Sequence, residues 1–216
     1  MPASKSSKQW LRRHVTDPYV RRAKAQGYRS RAAYKLLELD AKDRLLHAGA
    51  KVADLGAAPG GWAQVAARKV GPSGRVVAID ILEIAPISGV SVLRGDVRQQ
   101  AALDAVREAL DGRADLVLSD LSLNISGVAG VDQARAAELV SLAMRFALKV
   151  LKPSGVFVVK MFQGEAFNGV LAAAKGAFLS VAVRKPGASR SESRETYLLA
   201  KGLKGGSQTK PQGPVG

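Results

Sequence analysis

The chain of 216 residues has no cysteine, few aromatic residues (5%) and only two histidines. Without cysteine there is no disulfide framework, no thiolate zinc site and no cysteine nucleophile, a composition that suits a reducing compartment. His14 and His47 have no partners at metal-ligand spacing, so no metal site is expected. No apolar run approaches the roughly 18 residues that cross a bilayer. The first twenty residues carry Lys5, Lys8, Arg12 and Arg13 without the apolar centre of a secretory signal. Acid is scarce too: 18 Asp and Glu face 33 Lys and Arg, for a net charge of +15. A 47% hydrophobic fraction excludes a disordered chain, and the length fits one domain with its own core. These limits predict a soluble, cytoplasmic protein with a polyanionic partner and no membrane association.

The positive excess is concentrated. Residues 1–44 hold twelve Lys and Arg against four acids, +8, and residues 201–216 add three lysines and no acid. A basic N-terminal fifth on a nearly balanced body reads as a polyanion-gripping arm on a catalytic or binding core. Trp10, Tyr19, Tyr28 and Tyr34 lie among the basic residues, a mixture that suits stacked, unpaired bases. Arg29, Arg31 and Lys35 bracket Ala32, Ala33, Leu36 and Leu37, a helical pattern with one face docked and the other exposed. The run lacks the broad apolar face of an interfacial membrane helix, which favours nucleic acid. Three segments follow: an RNA-binding extension at 1–44, the main domain at 45–202, and a tail at 203–216 expected to be disordered. With no sustained heptad or apolar edge patch, a monomer is expected.

From residue 51, β-branched runs alternate with Ala/Leu-rich stretches. Strands are predicted at Val52–Asp54, Arg75–Ile79, Val90–Leu93, Leu116–Ser119 and Val156–Met161, and helices at Gly61–Val70, Gln99–Leu110, Asp132–Leu151 and Glu165–Lys175. Most of the strands lack polar alternation, as when helices cover both faces, so the fold class is α/β with a mostly parallel, doubly wound sheet. Phe178–Val183 and Thr196–Ala200 follow without a helix between them and read as a hairpin pair, which puts an antiparallel C-terminal strand in the sheet.

The first strand runs into Asp54-Leu55-Gly56-Ala57-Ala58-Pro59-Gly60-Gly61-Trp62. Small residues between a strand and a helix let the backbone turn tightly and approach a ligand. A dinucleotide turn reads G-x-G-x-x-G, but here Ala occupies position 58 and Asp54 lies at the strand end, which argues against a nicotinamide pyrophosphate. S-adenosylmethionine, with a sulfonium, an amino group and no phosphate, fits such a turn. Asp80 closes the second strand, where an acid can accept from both ribose hydroxyls. Asp96 follows the third and is placed to meet an adenine amino group; Asp120 closes the fourth.

The runs DLGAAPGGW, LSD, VVKMFQGE and SRSESRETY, with the basic SRAAYKLLELD segment, resemble the FtsJ/RrmJ family of RNA 2′-O-ribose methyltransferases, in its bacterial large-subunit form, across residues 8–201. The resemblance implies a Rossmann-like S-adenosylmethionine-dependent methyltransferase fold and, as acceptor, a uridine 2′-hydroxyl in 23S ribosomal RNA of the large subunit. By that likeness Gly60, Trp62, Asp80, Asp96 and Asp120 match cofactor-contacting positions, while Lys35, Asp120, Lys160 and Glu195 match a Lys-Asp-Lys-Glu catalytic tetrad. One run departs: after the strand-four acid the family usually has a hydrophobic residue and Ala-Pro-Asn, whereas here Asp120 is followed by Leu121-Ser122-Leu123-Asn124. Two other readings share these residues, another RNA such as transfer RNA as acceptor, and a non-catalytic ribosome-assembly or RNA-binding factor.

The proposed chemistry demands alignment more than activation. A sulfonium methyl is already electrophilic, and holding oxygen, carbon and sulfur in line is worth roughly 7–11 kcal/mol. Lys160, after the apolar Val156-Phe157-Val158-Val159, sits at the strand end where it can bind the hydroxyl. It acts there either as a proton acceptor, which would require its ordinary pKa of about 10.4 to fall by about three units, or as a charged donor that orients the oxygen.

Overall fold

The structure is a computed structural model and describes residues 17–122, 127, 129–164, 166–190 and 193–205. Among these the chain runs α1 (Pro18–Ala25), α2 (Ala32–Asp43), β1 (Lys51–Leu55), α3 (Gly61–Val70), β2 (Arg75–Asp80), β3 (Val90–Arg94), α4 (Gln100–Leu110), β4 (Ala114–Ser119), α5 (Ala129–Val150), β5 (Leu151–Phe162), α6 (Phe167–Ala177), β6 (Phe178–Arg184) and β7 (Glu195–Leu203).

The strands form one sheet in the order β3-β2-β1-β4-β5-β7-β6. β1 to β5 are parallel, and β7 lies antiparallel between β5 and β6. The direction of winding reverses between β1 and β4, which opens a crevice at the carboxyl ends of those strands. Apolar side chains face both ways along β1, β4 and β5. Ala53, Val117 and Phe157 pack with Val106 of α4, Phe146 of α5 and Ala174 of α6. Val52, Leu118 and Val158 pack on the opposite face with Leu36 of α2 and Val65 of α3. Three layers result, with a core on each side of the sheet.

Local chemistry fixes where the helices begin and end. Asp17 caps α1 by accepting from the Tyr19 amide at 2.9 Å, with Pro18 in the first turn. At the end of α2, Arg44 adopts φ 50° and the buried Asp40 carboxylate accepts the amides of Leu45 and Leu46. That turn sends the chain back toward β1. The hairpin expectation is met by β6 and β7, with β7 inserted between β5 and β6. β5 starts earlier than expected: Leu151 already pairs with Ala114, and the register then shifts before Val156 meets Leu116, around Pro153-Ser154-Gly155. No described helix is long and apolar enough to cross a membrane.

Candidate active site

The glycine turn is built by backbone packing. The amides of Gly56 and Ala57 both donate to the Ile79 carbonyl, at 2.9 and 3.1 Å, and the Asp120 amide donates to Leu55, so the ends of β1, β2 and β4 are joined. Gly60, at φ 103°, begins α3 in the left-handed region, and a Cβ there would lie 2.6 Å from Ile87. The loop carrying Ile87 is held over the turn by Arg29, whose guanidinium donates to Pro59, Ala85 and Pro86 carbonyls. Arg29 thus stabilises the turn through three backbone carbonyls, a role its place in a basic run does not reveal.

Three carboxyls border this turn. Asp80 accepts from the Ala58 amide on one oxygen and from its own loop, at Leu82, on the other, both at 2.9 Å. Asp54 is fully buried, and neither oxygen has a well-formed hydrogen bond. Burial pushes its pKa up to about 8; the nearby charges of Asp120 and Asp80 add to the rise, and the Ala63 amide at the start of α3 offsets it only in part. Asp54, Asp120 and Ser30 line a void of about 10 Å³, and the buried Ser30 hydroxyl also lacks a partner.

Beside the turn lies a connected set of amines and carboxylates. Lys160 is buried, and its Nζ donates to the Asp120 carbonyl at 2.8 Å and to the Ser122 hydroxyl at 3.2 Å while pairing with Asp120 Oδ1 at 3.1 Å. Three oxygens match the three protons of an ammonium. Lys35, from α2, pairs with Glu195 Oε1 at 2.6 Å. The two halves meet at Tyr197: its hydroxyl accepts from Lys35 Nζ at 3.2 Å and lies 3.0 Å from Glu195 Oε1 and 3.2 Å from Asp120 Oδ1. Burial, then the charges of Asp120 and Glu195, push the phenol pKa well above its usual value. For Glu195 burial, the largest single influence, acts upward, but the Lys35 ammonium together with Lys160 and the Tyr197 hydroxyl holds the carboxyl below the ordinary range. Lys35, Asp120, Lys160 and Glu195, expected from the sequence, therefore form one network. Tyr197 and Ser122 belong to it unannounced. Tyr197 shares a strand face with Glu195 by two-residue alternation, and that was the available signal.

The remaining expected residues are placed less directly. Asp96 follows β3, but its carboxylate is gripped by the Arg98 guanidinium at 2.6–3.0 Å and by the Arg98 amide, and these bonds hold its pKa down. Trp62 is buried; its indole nitrogen donates to the Ala32 carbonyl and its ring packs against Tyr197, so its side chain serves the core. The aromatic residues of the basic segment are likewise committed elsewhere than expected. Tyr34 is buried, with Tyr19 and Tyr28 packed on it at centroid distances of 5.5 and 5.6 Å, which gives α1 and α2 a small core of their own. Trp10, Leu123 and Asn124 lie outside the described residues.

Comparison with known proteins agrees with this geometry. Residues 28–203 match the model of the FtsJ-like methyltransferase family. The chain is 55% identical to a protein of Azoarcus sp. (strain BH72) named ribosomal RNA large subunit methyltransferase E, over 94% of this chain and all of that one. It is 52% identical to a protein of the same name from Marinobacter nauticus, over 94% of this chain and 99% of the relative. Among solved structures, one described as a ribosomal RNA methyltransferase from Plasmodium falciparum superposes with a TM-score of 0.72 at 30% identity, covering 82% of this chain and 98% of that one. A glycine turn bordered by carboxylates, a buried lysine paired with Asp120 and a match spanning the whole sheet lead to one assignment: the chain belongs to the FtsJ-like methyltransferase family.

Proposed function

We propose that this protein methylates the 2′-hydroxyl of a uridine ribose in 23S ribosomal RNA of the large subunit, with S-adenosylmethionine as donor. The observation that carries the reading is the network joining Lys35, Glu195, Tyr197, Asp120 and Lys160 at the carboxyl edge of the sheet, next to the glycine turn. The names of the relatives at 55% and 52% identity support the choice of large-subunit RNA.

The residues of the turn fit the donor. Asp54 and Ser30 present buried, unpaired oxygens to the void they share with Asp120, a set suited to an ammonium group. Asp80 retains lone pairs for two ribose hydroxyls, Asp96 would meet the adenine amino group by giving up part of its grip on Arg98, and Gly60 and Trp62 would contribute backbone at the start of α3. When bound, the donor supplies a methyl group activated by a sulfonium.

The protein's own groups then handle the acceptor. Lys160 is fixed by Asp120, and the 2′-oxygen would replace the Ser122 hydroxyl, the longest of the three contacts, as the third acceptor of its ammonium. Held there, the hydroxyl would give up its proton to water or to the Asp120 carboxylate as it is methylated, with the bound donor supplying the methyl group. Lys160 therefore works as a charged donor that positions the oxygen, and Lys35, held by Glu195 and Tyr197, adds a second positive charge on the α2 side. The positive excess of residues 1–44 supports phosphate contacts with RNA, and a ribosomal particle in the cytoplasm fits that reading.

The test uses large subunits and bare ribosomal RNA from cells lacking the protein, a labelled donor and the purified chain. Label in alkali-resistant dinucleotides, the mark of a blocked 2′-oxygen, is the expected result. Label on bases, or on transfer RNA alone, overturns the reading.

A further inference from the structure

After β6 the chain reads Lys185-Pro186-Gly187-Ala188-Ser189, with turn formers at three of the five positions. The Ser189 amide donates to the Pro186 carbonyl at 2.9 Å and closes a four-residue turn. That turn is seated on the N-terminal helices. Gly187 passes so close to α2 that a Cβ there would lie 3.4 Å from Glu38 Oε2. Ala188 is fully buried with Ala23 and Tyr34; its amide donates to Glu38 Oε2 at 3.1 Å, and its carbonyl accepts from the Arg31 guanidinium. Arg31 is itself paired with Asp17, the cap of α1. Both backbone groups of Ala188 are therefore fixed, and Ser189 follows with its direction set. Ser189 is buried, and its hydroxyl donates to Glu195 Oε1 at 3.0 Å, the oxygen that pairs with Lys35 at 2.6 Å.

We propose that Ser189 is a positioning residue for methyl transfer: it fixes the Glu195 carboxylate so that Glu195 in turn holds Lys35 in the site. The proposal rests on the role given to the Lys35–Glu195 pair above. The last torsion of a glutamate is broad, and a lysine ends in a flexible four-carbon stem, so the ion pair alone leaves both partners free to swing together. Two hydroxyls from rigid parts of the fold meet Glu195 Oε1. One is Tyr197 at 3.0 Å, but its single proton is also within reach of Asp120 Oδ1 at 3.2 Å. The other is Ser189, whose proton goes to Glu195. The Ser189 hydroxyl is thus the donor that ties this carboxylate to the turn docked on α1 and α2, and the same two helices carry Lys35 at the other end of the ion pair. The basic segment acts on the chemistry twice, directly through Lys35 and indirectly through the turn that aims Ser189.

The experiment measures methyl transfer to the acceptor that the wild type methylates, for the wild type, Ser189→Ala, Glu195→Ala and the double variant. Ser189→Ala should lower kcat about three- to tenfold, the scale of one hydrogen bond, with KM for the RNA and donor affinity within about twofold of wild type. In the Glu195→Ala background there is no carboxylate to fix, so adding Ser189→Ala should change the single-turnover rate by less than about twofold. A serine that only supports its loop would give the same fall in both backgrounds, and that result overturns the proposal. Wild-type kcat in a folded Ser189→Ala protein overturns it too. Either failure leaves ribose methylation by the wild type intact, whereas absence of any alkali-stable methylribose in the wild-type reaction removes the function beneath it.

Discussion

Tyr197 carries no charge, yet Lys35, Glu195 and Asp120 all meet at its hydroxyl. A phenol has one proton and cannot donate to both carboxylates at once, so its hydroxyl serves as a spacer that keeps two acids and an amine in fixed positions. Tyr197→Phe keeps the ring against Trp62 and removes that spacer. The expected outcome is a roughly tenfold fall in kcat, the equivalent of one hydrogen bond, with donor affinity unchanged in a binding titration. Asp54 makes a second prediction. Its pKa is raised to about 8 in the folded chain, while an unfolded aspartate titrates near 4. Between those values the folded state holds a proton that the unfolded state has released, so the contribution of Asp54 to stability is full below about pH 4 and is lost as pH rises from about 4 to 8, by at most ~1.4 kcal/mol per unit. Glu195, Asp43, Asp96 and Asp115 have lowered values and are ionised in both states above about pH 5. Urea unfolding of the ligand-free wild type minus that of Asp54→Asn should show this slope, and parallel curves would contradict it. Asp120 and Lys160 were legible from their places at strand ends, whereas Lys35, on a basic helix, and Glu195, among arginines at the start of β7, were singled out by the family likeness. Tyr19, Tyr28 and Tyr34 differed from expectation because composition cannot tell a ring that stacks on bases from one that stacks on its neighbours.

Helix α2 does two jobs with adjacent residues. Ala33, Leu36 and Leu39 are buried on the sheet, and Lys35, between them, reaches Glu195 on β7. Leu36→Ala should cost about 2–5 kcal/mol in unfolding and should also lower kcat, because a shifted helix moves Lys35. Wild-type kcat in a destabilised Leu36→Ala protein, measured below its melting temperature, would show that Lys35 is placed independently of this packing. The pairing of β5 with β7 sets Lys160 opposite Tyr197 and Phe162 opposite Glu195. A slip of one residue would turn Tyr197 and Glu195 to the other face. The inner strands were legible because buried parallel strands are continuous apolar runs ended by acids. The start of β5 was hidden because Pro153-Ser154-Gly155 reads as a loop, and pairing with β4 is a tertiary fact. The charge of residues 1–44 drew attention to their role as an arm, but the apolar face of α2 already marked it for docking.

At the scale of the whole molecule, a sheet that changes winding direction between β1 and β4 gathers acids from three strands on one edge. The chain's net charge of +15 favours association with a phosphate-rich partner. RNA affinity should therefore fall by about 10³ or more between 50 and 200 mM salt if at least six phosphates are engaged. A flat salt dependence in filter binding would argue against RNA as the polyanion. If Lys160 positions the acceptor oxygen, Lys160→Ala should form almost no 2′-O-methylribose in single-turnover methyl transfer to large subunits, with donor affinity within about twofold of wild type; full single-turnover activity in that variant would show that the oxygen is placed without Lys160.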